Sequence, residues 1–128
     1  MSFTFPKQEK LKSKKLIERL FTEGKSVSQF PLKLVYLKTT LPEEVPAQVA
    51  IAVPKKKFKK AVDRNRAKRL VRECYRANKS IIFNNIEDTY ALVFLYLDRN
   101  LPQYQSLDKN MEALLQKFVK HITHEKVN

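Results

Sequence analysis

Residues 55–76 combine a helical pattern of apolar residues with a concentration of positive charge. This segment, KKKFKKAVDRNRAKRLVRECYR, holds 11 of the chain's 26 Lys and Arg residues and two acids, whereas the rest of the chain holds 15 Lys and Arg and 11 acids. From residue 62 onward, small and apolar residues recur at i, i+3, i+4 and i+7, which predicts an amphipathic helix lying on a core. The predicted core-facing stripe consists of Ala67, Leu70, Val71, Cys74 and Asn78.

The opposite face of this helix is almost purely cationic. Lys68, Arg72 and Arg76 follow one another at i, i+4 spacing, where like charges repel. Such repulsion is tolerated where a polyanion relieves it, and the planar guanidinium fork fits phosphate oxygens. The pattern favours nucleic-acid binding over a basic surface kept for solubility. The candidate binding residues are Lys55, Lys56, Lys57, Arg64, Asn65, Arg66, Lys68, Arg69, Arg72 and Arg76.

The run AVDRNRAKRLVRE resembles the signature of the bacterial ribonuclease P protein subunit. In that family an R-N-R triplet, followed by K-R and then R-E, opens a long basic helix. The matching positions are Arg64, Asn65, Arg66, Lys68, Arg69, Arg72 and Glu73. The resemblance extends over most of the chain, although the loop before the helix, where many members have Gly, contains Phe58-Lys59-Lys60. It implies an RNA-binding subunit of the ribonucleoprotein endoribonuclease that removes 5′ leaders from precursor tRNA.

The same resemblance implies that the chemistry is carried by the RNA subunit and its Mg²⁺ ions. The expected partners are the ribonuclease P RNA and precursor tRNA, with no cofactor on the protein, no required protein partner and no membrane. The residues agree with a binding role, because we find no credible catalytic or metal-ligating set. A single glycine precludes a Gly-rich phosphate loop, both histidines lie near the C-terminus, and the only cysteine falls on the core-facing stripe.

The segment QVAIAVP predicts a strand with two unlike faces. Val49, Ile51 and Val53 alternate with Ala50 and Ala52, so one face is bulky and the other carries only methyl groups. A small face fits either a groove floor or a closely packed helix, and the residues alone leave both open. The resemblance implies a cleft for the single-stranded leader, which needs aromatic stacking platforms. The candidate groove residues are Phe21, Tyr36, Ala50 and Ala52.

The remaining patterns predict one α+β domain over residues 1–128, a sandwich of helices with a central sheet of about four strands in the order α-β-β-β-α-β-α. We expect a helix capped by Ser13 and ended by Gly24 in a left-handed conformation, and a last helix capped by Ser106. Strands are predicted over 29–39, 48–53 and 90–97, with an irregular connection over 80–88, a flexible arm over about 1–9 and a frayed tail over about 122–128. The family resemblance implies a left-handed βαβ crossover.

The composition predicts a soluble, cytoplasmic protein. The single cysteine fits a reducing compartment, and no apolar run approaches the roughly 20 residues that span a bilayer. Two other classes stay open: a ribosomal or tRNA-binding accessory protein without a processing role, and a DNA-binding module. The latter is disfavoured because no second helix stands at a short turn before the basic helix, and Lys and Arg outnumber base-reading Asn and Gln.

Overall fold

The structure is a computed structural model that describes residues 6–127. In this part of the chain four strands form one sheet: β1 (Lys25–Gln29), β2 (Leu32–Lys38), β3 (Ala47–Ala52) and β4 (Tyr90–Tyr96). The helices are α1 (Lys14–Glu23), α2 (Ala61–Asn78), α3 (Ser80–Phe83) and α4 (Tyr104–Val127), preceded by a 3₁₀ turn at Lys7–Glu9. The predicted α+β class and element order are confirmed, with the one-turn α3 as an addition.

The sheet has the strand order β1-β2-β4-β3. β2 is antiparallel to both β1 and β4, whereas β3 is parallel to β4 and is connected to it through α2 and α3. Because β4 is central and is covered on both faces, its side chains are buried almost throughout, which confirms the interpretation of its continuous apolar sequence. The hand of this crossover stays a prediction.

Helices cover the two faces of the sheet unequally. One face packs against α2 and α4, in a cluster that includes Leu34, Val49 and Phe94. The other face packs against α1, which lies over β2 and β4 and contributes Leu16 and Leu20 to a second, smaller cluster. Alternation along each strand therefore decides which helix a residue meets.

The ends of α1 are fixed by Ser13 and Gly24. The Ser13 hydroxyl oxygen accepts a hydrogen bond from the Leu16 N–H at 3.2 Å, so the predicted N-cap is confirmed. The expected left-handed conformation of Gly24 is wrong, because its φ is −70° and its ψ is 159°. A Cβ at this position would lie 2.3 Å from the Leu20 carbonyl oxygen and 3.0 Å from that of Tyr36. Close backbone approach, and not a positive φ, explains this glycine.

Three predicted boundaries need correction. The strand expected over 29–39 is in fact the end of β1, a turn with a cis Phe30–Pro31 peptide bond, and β2, so it belongs to a hairpin. The polar sequence KSVSQ of β1 gave little indication of a strand. The connection over 80–88 contains the helical turn α3. The last helix begins at Tyr104, so Ser106 lies inside its first turn and is not its cap.

The two ends of the chain compare differently with expectation. Residues 1–5 of the predicted arm lie outside the described residues, but residues 7–9 form a turn whose Glu9 side chain is buried, so this part is not a free arm. At the other end, α4 is helical through Val127. The fraying expected over 122–128 stays a prediction.

Candidate nucleic-acid interface

The core-facing stripe of α2 is largely as predicted. Ala67, Val71 and Cys74 are fully buried, and Leu70 is half-buried against the same cluster. Tyr75 is also fully buried and was missed, although its i+4 spacing from Val71 could have indicated it. The apolar residues of this stripe pack α2 against the sheet and α4.

Asn78 and Cys74 are the two residues of this stripe that are not simple hydrocarbons, and the structure explains the position of each. The Asn78 side-chain amide donates hydrogen bonds to the Cys74 carbonyl oxygen at 2.8 Å and to Asp108 Oδ1 at 2.7 Å, which ties the end of α2 to α4. Burial, with smaller contributions from Asp108 and Glu73, raises the pKa of the Cys74 thiol to about 12. The prediction that Cys74 is a buried thiol is confirmed, and its lack of reactivity stays a prediction.

The cationic residues of α2 lie along one side of the helix, away from the core. Asn65, Arg66 and Arg69 are exposed, whereas Lys68, Arg72 and Arg76 are half-buried. Arg69 keeps 68% of its side chain exposed, although its Nε lies 3.4 Å from Glu73 Oε1 one turn later. The structure therefore gathers these six predicted residues on one helical surface that is open to a large polyanion.

Arg64 has a second role that its sequence pattern did not indicate. Its Nη1 donates hydrogen bonds to the carbonyl oxygens of Phe58 at 2.8 Å and Lys59 at 3.0 Å. Phe58 is buried and stacks on Tyr96, with ring centroids 6.1 Å apart. Arg64 thus closes the loop that precedes α2, and Phe58 anchors that loop.

The lysines of this loop lie beside the N-terminus of α2. Lys55 and Lys56 are exposed and Lys57 is half-buried, within a turn in which the Lys57 N–H donates to the Pro54 carbonyl oxygen at 3.0 Å. The first turn of a helix presents unpaired N–H groups and the positive end of its dipole, which also attract anions. The loop and the helix therefore form one electropositive surface.

The candidate groove residues are only partly brought together. Ala50 and Ala52 are half-buried on the face of β3 that points toward the α1 side of the sheet, and Phe21 is 56% exposed on α1. Because α1 lies over β2 and β4, it leaves the small face of β3 partly open. These three residues are compatible with a shared groove.

Tyr36 does not belong to this groove, and its assignment as a stacking platform is wrong. Its side chain is 3% exposed and lies on the opposite face of the sheet. There its ring packs edge to face against the ring of Phe118, with the ring centroids 4.9 Å apart. The Tyr36 hydroxyl donates a hydrogen bond to Glu125 Oε1 at 3.1 Å, and burial, followed by the Glu125 charge, raises its pKa. Strand alternation places Tyr36 with Leu34 against α4, away from Ala50.

Lys33 is a residue that the sequence analysis did not select. The strand register aligns Lys33 with Leu95 and Leu95 with Ala52, so the three form a row across the sheet. Lys33 alternates with Leu34 and therefore lies on the same face as Ala52. Its parity with Val35 was visible in the sequence, but the pairing that brings it toward β3 was not.

Within residues 6–127, no three His, Cys, Asp or Glu side chains lie close enough together to hold a metal ion. His121 and His124 are exposed on α4. Among the helices described above, none has the length and apolar character needed to cross a bilayer.

The family model described as "Ribonuclease P" matches residues 5–119 of this chain. The chain belongs to the ribonuclease P protein family. It is 33% identical over 117 residues to the ribonuclease P protein component of Porphyromonas gingivalis, covering 89% of this chain and 85% of the relative. It is 35% identical over 122 residues to that of Chlorobium phaeobacteroides, covering 85% and 84%. The fold matches that of the ribonuclease P protein from Thermotoga maritima with a TM-score of 0.69 at 24% identity, covering 85% of this chain and 96% of that one.

Membership in the ribonuclease P family decides among the classes that the composition left open. The chain is the protein component of a ribonucleoprotein endoribonuclease that processes the 5′ ends of tRNA, and its partner is the ribonuclease P RNA. The accessory and DNA-binding alternatives are therefore not supported.

Proposed function

We propose that this protein binds the ribonuclease P RNA through the cationic face of α2 and the 5′ leader of precursor tRNA through a groove beside α1. The observation that carries the proposal is the segregation of α2, with Ala67, Val71 and Cys74 fully buried on one side and a set of exposed and half-buried cations on the other. In this proposal the RNA and its Mg²⁺ ions perform the hydrolysis in the cytoplasm, and the protein supplies positive charge and a path for the leader.

The groove is supported by the packing around α1. Ile17, Ala50 and Leu95 pack against the same apolar cluster, and Phe21 lies one helical turn beyond Ile17 with its ring largely exposed. An exposed aromatic ring can stack on a base of any identity, and a cation on the same face of the sheet, such as Lys33, can neutralise a phosphate. This combination suits a single strand whose sequence varies from one precursor to the next.

Reconstitution tests the proposal directly. The protein should stimulate cleavage of precursor tRNA by a ribonuclease P RNA at low Mg²⁺, and Phe21→Ala should weaken precursor tRNA binding by about 1 to 3 kcal/mol through lost stacking. Binding of mature tRNA, which lacks a leader, should be unchanged. Affinities of both tRNAs for the assembled ribonucleoprotein are measured with the wild-type and variant proteins.

A matched control is available in Phe30→Ala. Phe30 is 68% exposed, but it lines a cavity with Tyr96 and Leu107 of the α4 face of the sheet. If Phe21→Ala weakens both tRNAs equally, or weakens precursor binding no more than Phe30→Ala, the leader groove is wrong. If the wild-type protein neither binds the ribonuclease P RNA nor stimulates cleavage, the proposed function itself is wrong.

A further inference from the structure

A cavity of about 330 Å³ lies at the outer edge of β3, between α2 and residues 7–12, which form the N-terminal segment before α1. Its lining consists of Lys10, Leu11, Lys12, Val49, Ala50, Ile51 and Arg72. Each charged residue in this lining is a cation, and the three approach from two separate parts of the chain. Of these three cations, only Arg72 is among the candidate binding residues predicted from the sequence.

The backbone of β3 adds hydrogen-bonding groups to this cavity. β3 is an edge strand, and among residues 6–127 its outer side is paired where Lys10 bridges Val49 and the Leu11 N–H donates to the Val49 carbonyl oxygen at 3.0 Å. Alternate residues of a strand direct their N–H and C=O groups to the same side. Ile51 therefore directs its N–H outward, as Val49 does, beyond the point where the N-terminal segment leaves the edge. An amide N–H surrounded by cations favours an anion.

A buried ion pair holds the N-terminal segment in place. Glu9 is 6% exposed, and both of its carboxylate oxygens lie 3.1 Å from Lys79 Nζ at the end of α2. The Gln48 side-chain amide also donates to the Gln8 carbonyl oxygen at 2.9 Å. These contacts fix the backbone at Lys10 and Lys12 beside Arg72, so less conformational freedom remains to be lost when a ligand binds.

We propose that this cavity binds a backbone phosphate of an RNA strand, held by Lys10, Lys12 and Arg72 with the Ile51 N–H. Because Ala50 also lines the cavity, the phosphate would lie where the cationic face of α2 meets the small face of β3. The Glu9–Lys79 pair is a positioning element for this site. The inference rests on the proposed function, and the phosphate comes from either the ribonuclease P RNA or the precursor leader.

A double-mutant cycle on Lys12 and Arg72 tests whether the two side chains hold one phosphate. Lys12→Gln, Arg72→Gln and the double variant are compared across a salt series for affinity to the ribonuclease P RNA, and in the assembled ribonucleoprotein to precursor and mature tRNA. Loss of one contact should make the log–log salt slope shallower by about 0.7 to 0.9. If the two side chains hold one phosphate, the double variant should lose little more RNA affinity than the single variant that binds RNA less tightly.

Lys109→Gln, an exposed lysine on α4, is the matched control for charge removal. A loss of affinity for the ribonuclease P RNA assigns the phosphate to that RNA, and a loss confined to precursor tRNA assigns it to the leader. Independent, multiplicative losses for Lys12 and Arg72 would overturn a shared site. The site would also be overturned if the Lys12 and Arg72 variants lost no more RNA affinity than Lys109→Gln while still stimulating cleavage. The proposed function would stand in that case.

Glu9→Gln tests the positioning element by the sign of its effect. The variant makes the chain more basic by one charge, so unspecific electrostatics would tighten RNA binding. Release of Lys10 and Lys12 from their fixed positions should instead weaken binding, by less than the Lys12/Arg72 double variant does. Affinities are compared at a temperature where circular dichroism shows both proteins folded. Tighter binding by Glu9→Gln would overturn the positioning role.

Discussion

Glu125 connects the last turn of α4 to the sheet. Its Oε1 accepts hydrogen bonds from Lys25 Nζ at 3.0 Å and from the Tyr36 hydroxyl at 3.1 Å. Partial burial alone would raise the pKa of Glu125, but these hydrogen bonds, together with the charges of Lys25 and His121, lower it below its ordinary value of 4.5. The ionised carboxylate is therefore the form that the folded protein favours.

We predict that this carboxylate contributes stability that depends on pH. A group whose pKa is lowered by folding stabilises the protein above its unfolded pKa, and the contribution disappears as the pH falls through the folded pKa. Glu125→Gln, which imitates the protonated form, should lower the melting temperature at pH 7. The difference from wild type should shrink as the pH falls below 4.5. Thermal melts followed by circular dichroism from pH 3 to about pH 7 measure this difference.

Glu112→Gln provides the control for the Glu125 experiment, because Glu112 is exposed on the same helix. It should change the melting temperature little at any pH. A difference between Glu125→Gln and wild type that is independent of pH would show that the amide changes packing and not charge.

At the scale of elements, we expect one face of α2 to serve folding and the opposite face to serve RNA binding. We predict that Val71→Ala lowers the free energy of unfolding by about 2 kcal/mol, because it removes two methyl groups from a fully buried site. Arg69→Ala should instead weaken binding to the ribonuclease P RNA and make its salt slope shallower by something under one. Urea unfolding and RNA titrations over a salt series measure the two effects.

Val62→Ala is the matched control for stability, since Val62 is 71% exposed in the first turn of the same helix. It should leave the unfolding free energy nearly unchanged. An Arg69→Ala protein that unfolds easily, or a Val71→Ala protein as stable as wild type, would invert the assignment of faces. Arg64 is excluded from this comparison because its hydrogen bonds to the preceding loop give it a structural role as well.

The two faces of α2 could be predicted because a helix places residues by local geometry alone. The period of 3.6 residues fixes which side chains share a side, and Ala67, Val71 and Cys74 followed it. The position of Tyr36 could not be predicted in this way. The side chains of its strand point to alternate faces of the sheet, as predicted. Which face packs against α1 and which against α4 depends on contacts with distant parts of the chain.

The whole molecule is predicted to be inactive without RNA. Protein freed of RNA should cleave no precursor tRNA at any Mg²⁺ concentration, because we assign it cations that bind phosphate and no group that performs hydrolysis. Incubation of labelled precursor with nuclease-treated, repurified protein checks this, with addition of the ribonuclease P RNA as the positive control. Cleavage by RNA-free protein that is lost on substitution of one carboxylate would contradict the assignment.

Sheet order illustrates what the sequence could not supply at this scale. Apolar patterning indicated about four strands and the crossover helix, and these are present. The pairing of the strands could not be predicted, because β3 and β4 are separated in the sequence by α2 and α3, and β2 and β4 are separated by still more residues. Lys33 and Ala52 come into one row only through β4, so neither the row nor the cavity at the edge of β3 follows from local patterns.

The central place of β4 has a consequence for the synthesis of this protein. β4 is the last strand to leave the ribosome, yet it separates β2 from β3 and supplies pairing partners to both. Until residues 90–96 emerge, β3 has no neighbouring strand and α2 has no sheet to lie on. We therefore expect a stage of synthesis in which the most basic segment of the chain is already made but has no folded sheet beneath it. The cations of α2 should reach their folded arrangement only after residues 90–96 have been translated, since the non-local pairing of β4 must come first.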